Sequence, residues 1–163
     1  NAVGALHSDQ FQPEKKLSQL SIEQFEWSFK VNTILPALIV KYFSPLMNKQ
    51  SRSVMAHLSA KVGSISDNGL GGWYSYRCSK AALNMLVKNA SIEMKRYNKQ
   101  LSIVAIHPGT VETGLSKPFT GSYNKTVFDP QESAKLMFDN VLSMVSVEQS
   151  GLLFSYDGHE ILP

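Results

Sequence analysis

Short apolar runs at residues 54–58, 101–107 and 151–156 alternate with helical patterns of about 15–25 residues, and this alternation constrains the fold most. Parallel strands cannot be joined by a tight turn. They need a crossover, usually a helix, and the crossover is right-handed, so helices come to cover both faces of the sheet. The alternation therefore predicts an α/β fold around a parallel sheet, with residues 1–163 as one unit.

The helices have their own punctuation. Ser21-Ile22-Glu23-Gln24 reads as a capping box that opens a helix to about residue 47. Its apolar residues Phe25, Phe29, Ile34, Leu38 and Phe43 recur near a helical period and are expected inward. Pro36 inside that pattern predicts a bend or a local hydrogen-bond defect. A second helix is expected over residues 74–98, with Ala81, Ala82, Met85, Leu86 and Ile92 inward. A third begins at Asp129-Pro130 and runs to about residue 145. Residues 1–20 read as a strand exit followed by a polar connection through Gln12, Pro13, Glu14, Lys15 and Lys16, and residues 60–73 as a Gly/Ser/Asn-rich loop.

Charge and composition narrow the function. A net charge of +3 with no long Lys/Arg run argues against nucleic-acid binding. The apolar stretch 34–40 is too short to span a bilayer and contains Pro36, so no membrane partner is expected. A single cysteine, Cys78, excludes an internal disulfide, fits a reducing cytoplasmic compartment and is read as packing. His7, His57, His107 and His159 lack metal-ligand spacing, so no metal is expected.

Tyr76 and Lys80 stand four residues apart in the second helical pattern, which puts a phenol and an ammonium on one face. A cation near a phenol favours the phenolate and brings tyrosine toward acid–base work near neutral pH. With six tyrosines and thirteen lysines, chance alone supplies about half of one such pair, so the surroundings must decide.

The surroundings are Gly63-Ser64-Ile65, then Gly71-Gly72-Trp73-Tyr74-Ser75-Tyr76-Arg77-Cys78-Ser79-Lys80-Ala81-Ala82-Leu83-Asn84. This segment resembles the active-site helix of the short-chain dehydrogenases/reductases, and within them the branch of the bacterial C-factor proteins. Three further segments match in the family's order: Asn1-Ala2-Val3-Gly4, Val31-Asn32-Thr33 and Pro108-Gly109-Thr110-Val111-Glu112-Thr113. The resemblance implies a Rossmann-like, doubly wound parallel sheet without its N-terminal βαβ units, with further residues expected upstream of Asn1. It implies NAD or NADP as cofactor, a small carbonyl or alcohol as substrate, and a homodimer or homotetramer.

Residue by residue, the resemblance makes Tyr76 the general acid/base and Lys80 the group that binds the nicotinamide ribose. Asn32 would hold a water leading from Lys80 to solvent. Pro108, Gly109, Val111 and Thr113 would line the nicotinamide, and Asn1 and Gly4 the adenosine side and strand ends. The family's substrate-orienting serine falls at Ala60; Ser64 is then the first candidate for a replacement hydroxyl and Ser59 the second, with ordinary loop serines as the other reading. The segment 116–129, with Phe119 and Tyr123, would be the substrate loop. The missing glycine-rich phosphate turn and Ala60 leave a second function open, an impaired member of the family serving as a signalling or protein-interaction module.

Overall fold

In the strand Leu101–His107, every residue from Leu101 to Ile106 is buried, so both faces of this strand must be covered. The computed structural model, which describes residues 1–119 and 126–163, shows how. The strands are β1 (Ser53–Leu58), β2 (Leu101–His107), β3 (Thr110–Val111), β4 (Val127–Phe128), β5 (Leu153–Ser155) and β6 (Glu160–Ile161). The main sheet has the order β1-β2-β5-β6. β1, β2 and β5 run parallel, with Met55 opposite Ile103 and Ile106 opposite Phe154, and β6 closes the edge antiparallel to β5. β3 and β4 form a separate two-stranded parallel ribbon.

Alternation along β2 divides the core in two. Ile103 and Ala105 point to one side, where Leu83, Val87, Ala90 and Val40 cover them. Val104 and Ile106 point to the other side, against Val141, Val145 and Phe154. Helices on both faces of a parallel sheet make this a Rossmann-like α/β arrangement.

The helices are α1 (Ile22–Phe29), α2 (Leu35–Phe43), α3 (Tyr74–Met94) and α4 (Pro130–Met137). α1 and α2 are joined without a break by a π turn at Lys30–Ile34. The defect lies where Pro36 predicts it, because proline offers no N–H to the carbonyl of Asn32 one turn earlier. Asp129 caps α4 by accepting from the Gln131 N–H at 2.8 Å. Half of the expected box at Ser21 forms. The Ser21 hydroxyl accepts from the Gln24 N–H, whereas the Gln24 amide donates to the Gln12 carbonyl.

The inward faces differ from those expected. Along α1 and α2 the buried residues are Gln24, Ser28, Asn32, Pro36 and Val40, a small and polar series. Ile34, Leu38 and Phe43 are exposed, Ile34 by 52%. On α3 the buried apolar residues are Leu83, Val87 and Ala90, while Met85 and Ile92 are exposed. On α1 and its continuation the outer stripe is the more hydrophobic because the inner one carries hydrogen-bonding residues. Serine, asparagine and glutamine can go inside when each finds partners, and small side chains let α1 and α3 approach closely.

Candidate active site

Tyr76 lies in the first turn of α3 and Lys80 one turn later, both buried and on the same face. The turn is entered through Trp73, which has a left-handed φ of 50°, a conformation costly for a bulky residue and concentrated at functional sites. Trp73 packs edge-on against Tyr76, with centroids 6.3 Å apart, and against Phe119 at 5.3 Å. Leu6, Ala60, Val62 and Leu115 complete an apolar cluster around the phenol ring. Among the described residues the Tyr76 hydroxyl has no hydrogen-bond partner.

Lys80 Nζ donates to the Leu58 carbonyl at 2.9 Å, at the carboxyl end of β1, and lies 5.8 Å from the centre of the Tyr76 ring. Burial pushes the ammonium down to about 8 and the phenol up to about 12. The expected lowering of the tyrosine pKa by its lysine is therefore absent here. Desolvation disfavours the phenolate, and the Lys80 ammonium, 5.8 Å from the ring centre, does not offset it.

Asn32 sits in the π turn, fully buried. Its Oδ1 accepts from the Ala5 N–H at 2.8 Å, and its Nδ2 donates to the Ala5 carbonyl at 2.9 Å and the Ser79 hydroxyl at 3.1 Å. Ser79 in turn donates to the Tyr76 carbonyl, and Thr33 donates to the Ser79 carbonyl. The asparagine helix is thus tied to the middle of the Tyr76–Lys80 turn. Gly4 completes the group. A β-carbon there would lie 3.2 Å from Lys80 Nζ and 3.4 Å from Asn32 Oδ1, so Gly4, Lys80 and Asn32 share one small space.

The other candidates flank that space or leave it. Asn1 runs alongside β1: its nitrogen donates to the Ala56 carbonyl and its carbonyl accepts from the Leu58 N–H. Its side-chain amide is 2.8 Å from His57 Nδ1. Pro108 and Gly109 follow β2 directly, and the Pro108 carbonyl accepts from the Ser133 hydroxyl of α4. Gly109 has a φ of 79°, and a β-carbon would strike the rings of Phe128 and Tyr156, so only glycine fits. Val111 pairs with Phe128 in the small ribbon. The Thr113 N–H donates to the Ser116 hydroxyl, which donates to the Val111 carbonyl.

Ser64 does not join the Tyr76 cluster. Its buried hydroxyl donates to the Leu162 carbonyl at 2.6 Å and accepts from the Asp67 N–H, holding the C-terminal tail. Ser59 donates to Asn84 Oδ1 at 2.7 Å. The residue of this stretch that packs on Tyr76 is Ala60, which has no hydroxyl to offer. Cys78, expected in the packing, is exposed, because its helical phase opposes that of Tyr76 and Lys80. Tyr123 lies outside the described residues. Sequence reasoning missed Glu14: a lone acid in a polar connection looks solvated, yet it is buried against the start of α3.

An open parallel sheet with a tyrosine, lysine and asparagine grouped beyond the carboxyl ends of its strands defines a Rossmann-like protein with its ligand site at the strand ends. The chain belongs to the short chain dehydrogenase family, whose sequence pattern it matches over residues 1–124. It is similar to the 1-hydroxy-2-glutathionyl-2-methyl-3-butene dehydrogenase of Rhodococcus sp. (strain AD45), with 30% identity over 88% of this chain and 60% of that protein. It is likewise similar to the C-signal of Myxococcus xanthus, with 30% identity over 82% of this chain and 75% of that protein. Among solved structures, the NADPH-bound carbonyl reductase from chicken fatty liver superposes with a TM-score of 0.79 at 28% identity, over 92% of this chain and 61% of that one. The chain thus spans less than two thirds of the Rhodococcus and chicken proteins.

Proposed function

We propose that the protein is an NAD- or NADP-dependent oxidoreductase that interconverts a small carbonyl compound and an alcohol, with residues 1–163 as the C-terminal portion of its Rossmann-fold domain. The observation that carries this reading is the common space of Gly4, Lys80 and Asn32 beside a tyrosine whose hydroxyl has no partner among the described residues. The residues fit a nicotinamide nucleoside: Lys80 offers a donor to ribose hydroxyls, Gly4 leaves room, and Pro108, Gly109, Val111 and Thr113, which follow the carboxyl end of β2, would line the nicotinamide. Asn1 belongs to the same strand-end rim.

A bound nicotinamide supplies or accepts the hydride. Tyr76 donates its hydroxyl proton to the carbonyl oxygen in reduction and takes a proton from the alcohol in oxidation. Lys80 positions the ribose and, with its pKa near 8, can pass a proton on. Asn32 steadies the helix behind it and directs a water toward Lys80. Ser64 has no part in this scheme, because its hydroxyl is committed to the C-terminal tail. The exposed apolar residues Ile34, Leu38 and Met85 suit a homodimer or homotetramer interface. The cytoplasm remains the expected compartment from the single cysteine.

The test is fluorescence titration of the full-length protein with NADH and NADPH, followed by carbonyl reduction with Tyr76→Phe as control. Cofactor binding with turnover lost in Tyr76→Phe supports the reading; absence of binding, or turnover indifferent to that substitution, removes it. One observation favours a second reading, a catalytically impaired member that signals or binds proteins: Ala60 leaves the Tyr76 cluster without a second hydroxyl.

A further inference from the structure

Glu14 is 1% exposed, and the chemistry above makes no use of it. Its main-chain carbonyl accepts from the Trp73 N–H at 2.5 Å, and both side-chain oxygens lie 3.3 Å from the Ser75 N–H. An α-helix leaves its first N–H groups without internal partners, and an adjacent Ser, Thr, Asp or Asn normally supplies them. α3 has no such neighbour: its own cap is Trp73, which gives no side-chain hydrogen bond. Glu14, 61 residues before Ser75, takes that part from a distant segment. An acidic side chain also suits the positive end of a helix.

The segment that carries Glu14 is held in turn. The Gln24 amide of α1 donates to the Gln12 carbonyl at 2.8 Å. The Glu14 carbonyl lies against Gly72, where a β-carbon would sit 3.4 Å from it. Residues 12–15 thus form a strap between α1 and the first turn of α3. That turn presents Tyr76 and Trp73, whereas Lys80 is fixed independently by the Leu58 carbonyl.

We infer that Glu14 is a positioning residue: through the N–H groups of Trp73 and Ser75 it sets where the Tyr76 hydroxyl stands relative to a Lys80 anchored to β1. The inference rests on the acid–base reading of Tyr76. Because the two anchors are separate, releasing one should separate two properties that normally fall together.

The experiment uses the full-length protein with Glu14→Ala and Glu14→Gln, measuring kcat for carbonyl reduction, NADPH affinity by fluorescence, and amide hydrogen exchange at Trp73 and Ser75. Glu14→Ala should lower kcat about tenfold or more, the scale of a misplaced reacting group. NADPH affinity should stay within about twofold, since Lys80 keeps its own anchor. The Ser75 amide should exchange faster, while the Trp73 amide, bonded to the main-chain carbonyl of residue 14 that the substitution keeps, serves as the internal control. Glu14→Gln retains one acceptor oxygen and should recover most of kcat. An unchanged kcat in Glu14→Ala, or equal losses of kcat and NADPH affinity that track an unfolded fraction by circular dichroism, overturns the inference. If exchange accelerates but wild-type turnover does not depend on Tyr76, the cap stands and the acid–base reading fails, taking the positioning role with it. Unchanged exchange at Ser75 in Glu14→Ala would remove the cap itself.

Discussion

The ammonium of Lys80 donates to the main-chain carbonyl of Leu58, so a buried amine staples the tyrosine helix to the last residue of β1. Burial holds its pKa near 8, against 10.5 for an exposed lysine. Between those two values the unfolded chain carries a proton that folded Lys80 has released. Stability must then rise as pH rises through that window.

Urea denaturation should accordingly show stability climbing from pH 8 toward pH 10, by up to about 3 kcal/mol over the whole interval. Lys80→Met keeps the bulk, removes the titrating group and should flatten the rise. Above pH 10 the tyrosine works in the opposite sense. Folded Tyr76 keeps its proton up to about 12, so the unfolded chain loses its own first and stability falls. A flat wild-type curve between pH 8 and 10 would contradict the burial of the amine.

Tyr76→Phe separates activity from stability. The hydroxyl has no partner among the described residues, and its ring sits in an apolar cluster. Removing a hydroxyl that no described residue bonds should change stability by no more than about 1 kcal/mol. Carbonyl reduction should fall by roughly a hundredfold to ten-thousandfold, the usual loss of a general acid. Thermal unfolding beside steady-state kinetics tests both. A marked drop in melting temperature would mean that the hydroxyl is structurally engaged.

Ala60→Ser puts a hydroxyl into the cluster beside Tyr76. A donor aimed at a developing oxyanion contributes about a hundredfold to a thousandfold in other sites, so even an imperfect rotamer should raise kcat/KM by about tenfold. Ser64→Ala is the contrasting variant. It should disturb the C-terminal tail at Leu162 and lower stability with little effect on kcat. An unchanged Ala60→Ser rate would show that this site needs no second hydroxyl.

The alternation of strands and helices was readable because β-branched runs such as Leu101–His107 stay apolar on both faces. The Tyr76–Lys80 pair was readable because a helical turn fixes its geometry whatever lies around it. The inward face of α1 and α2 was not. Gln24, Ser28 and Asn32 are buried through partners distant in sequence, Gln12, Ser79 and Ala5, and no local pattern encodes a distant partner. Ser64 misled for a similar reason. Its sequence distance from Tyr76 suited a catalytic role, but its hydroxyl bonds Leu162, 98 residues away. Glu14 was hidden because its helix lies 61 residues downstream.

Asn32 offers the sharpest test of that buried polar network. Its side chain accepts from the Ala5 N–H and donates to the Ala5 carbonyl, pairing with one residue much as a neighbouring strand would. Asn32→Leu keeps the branched skeleton, adds bulk at a fully buried position and leaves both half-buried Ala5 groups without these partners. A fully buried unsatisfied group costs about 1–3 kcal/mol; with both Ala5 groups only half-buried, the variant should lose about 2–4 kcal/mol in all. For a domain of this size, that corresponds to a melting temperature lower by about 5–15 °C. Asn32→Asp retains the acceptor for the Ala5 N–H but sets a carboxylate oxygen against the Ala5 carbonyl, and should be at least as damaging. A melting temperature within about 2 °C of wild type for Asn32→Leu would mean that water replaces the amide at Ala5. The tie between the asparagine helix and the Gly4–Ala5 turn would then be dispensable to the fold.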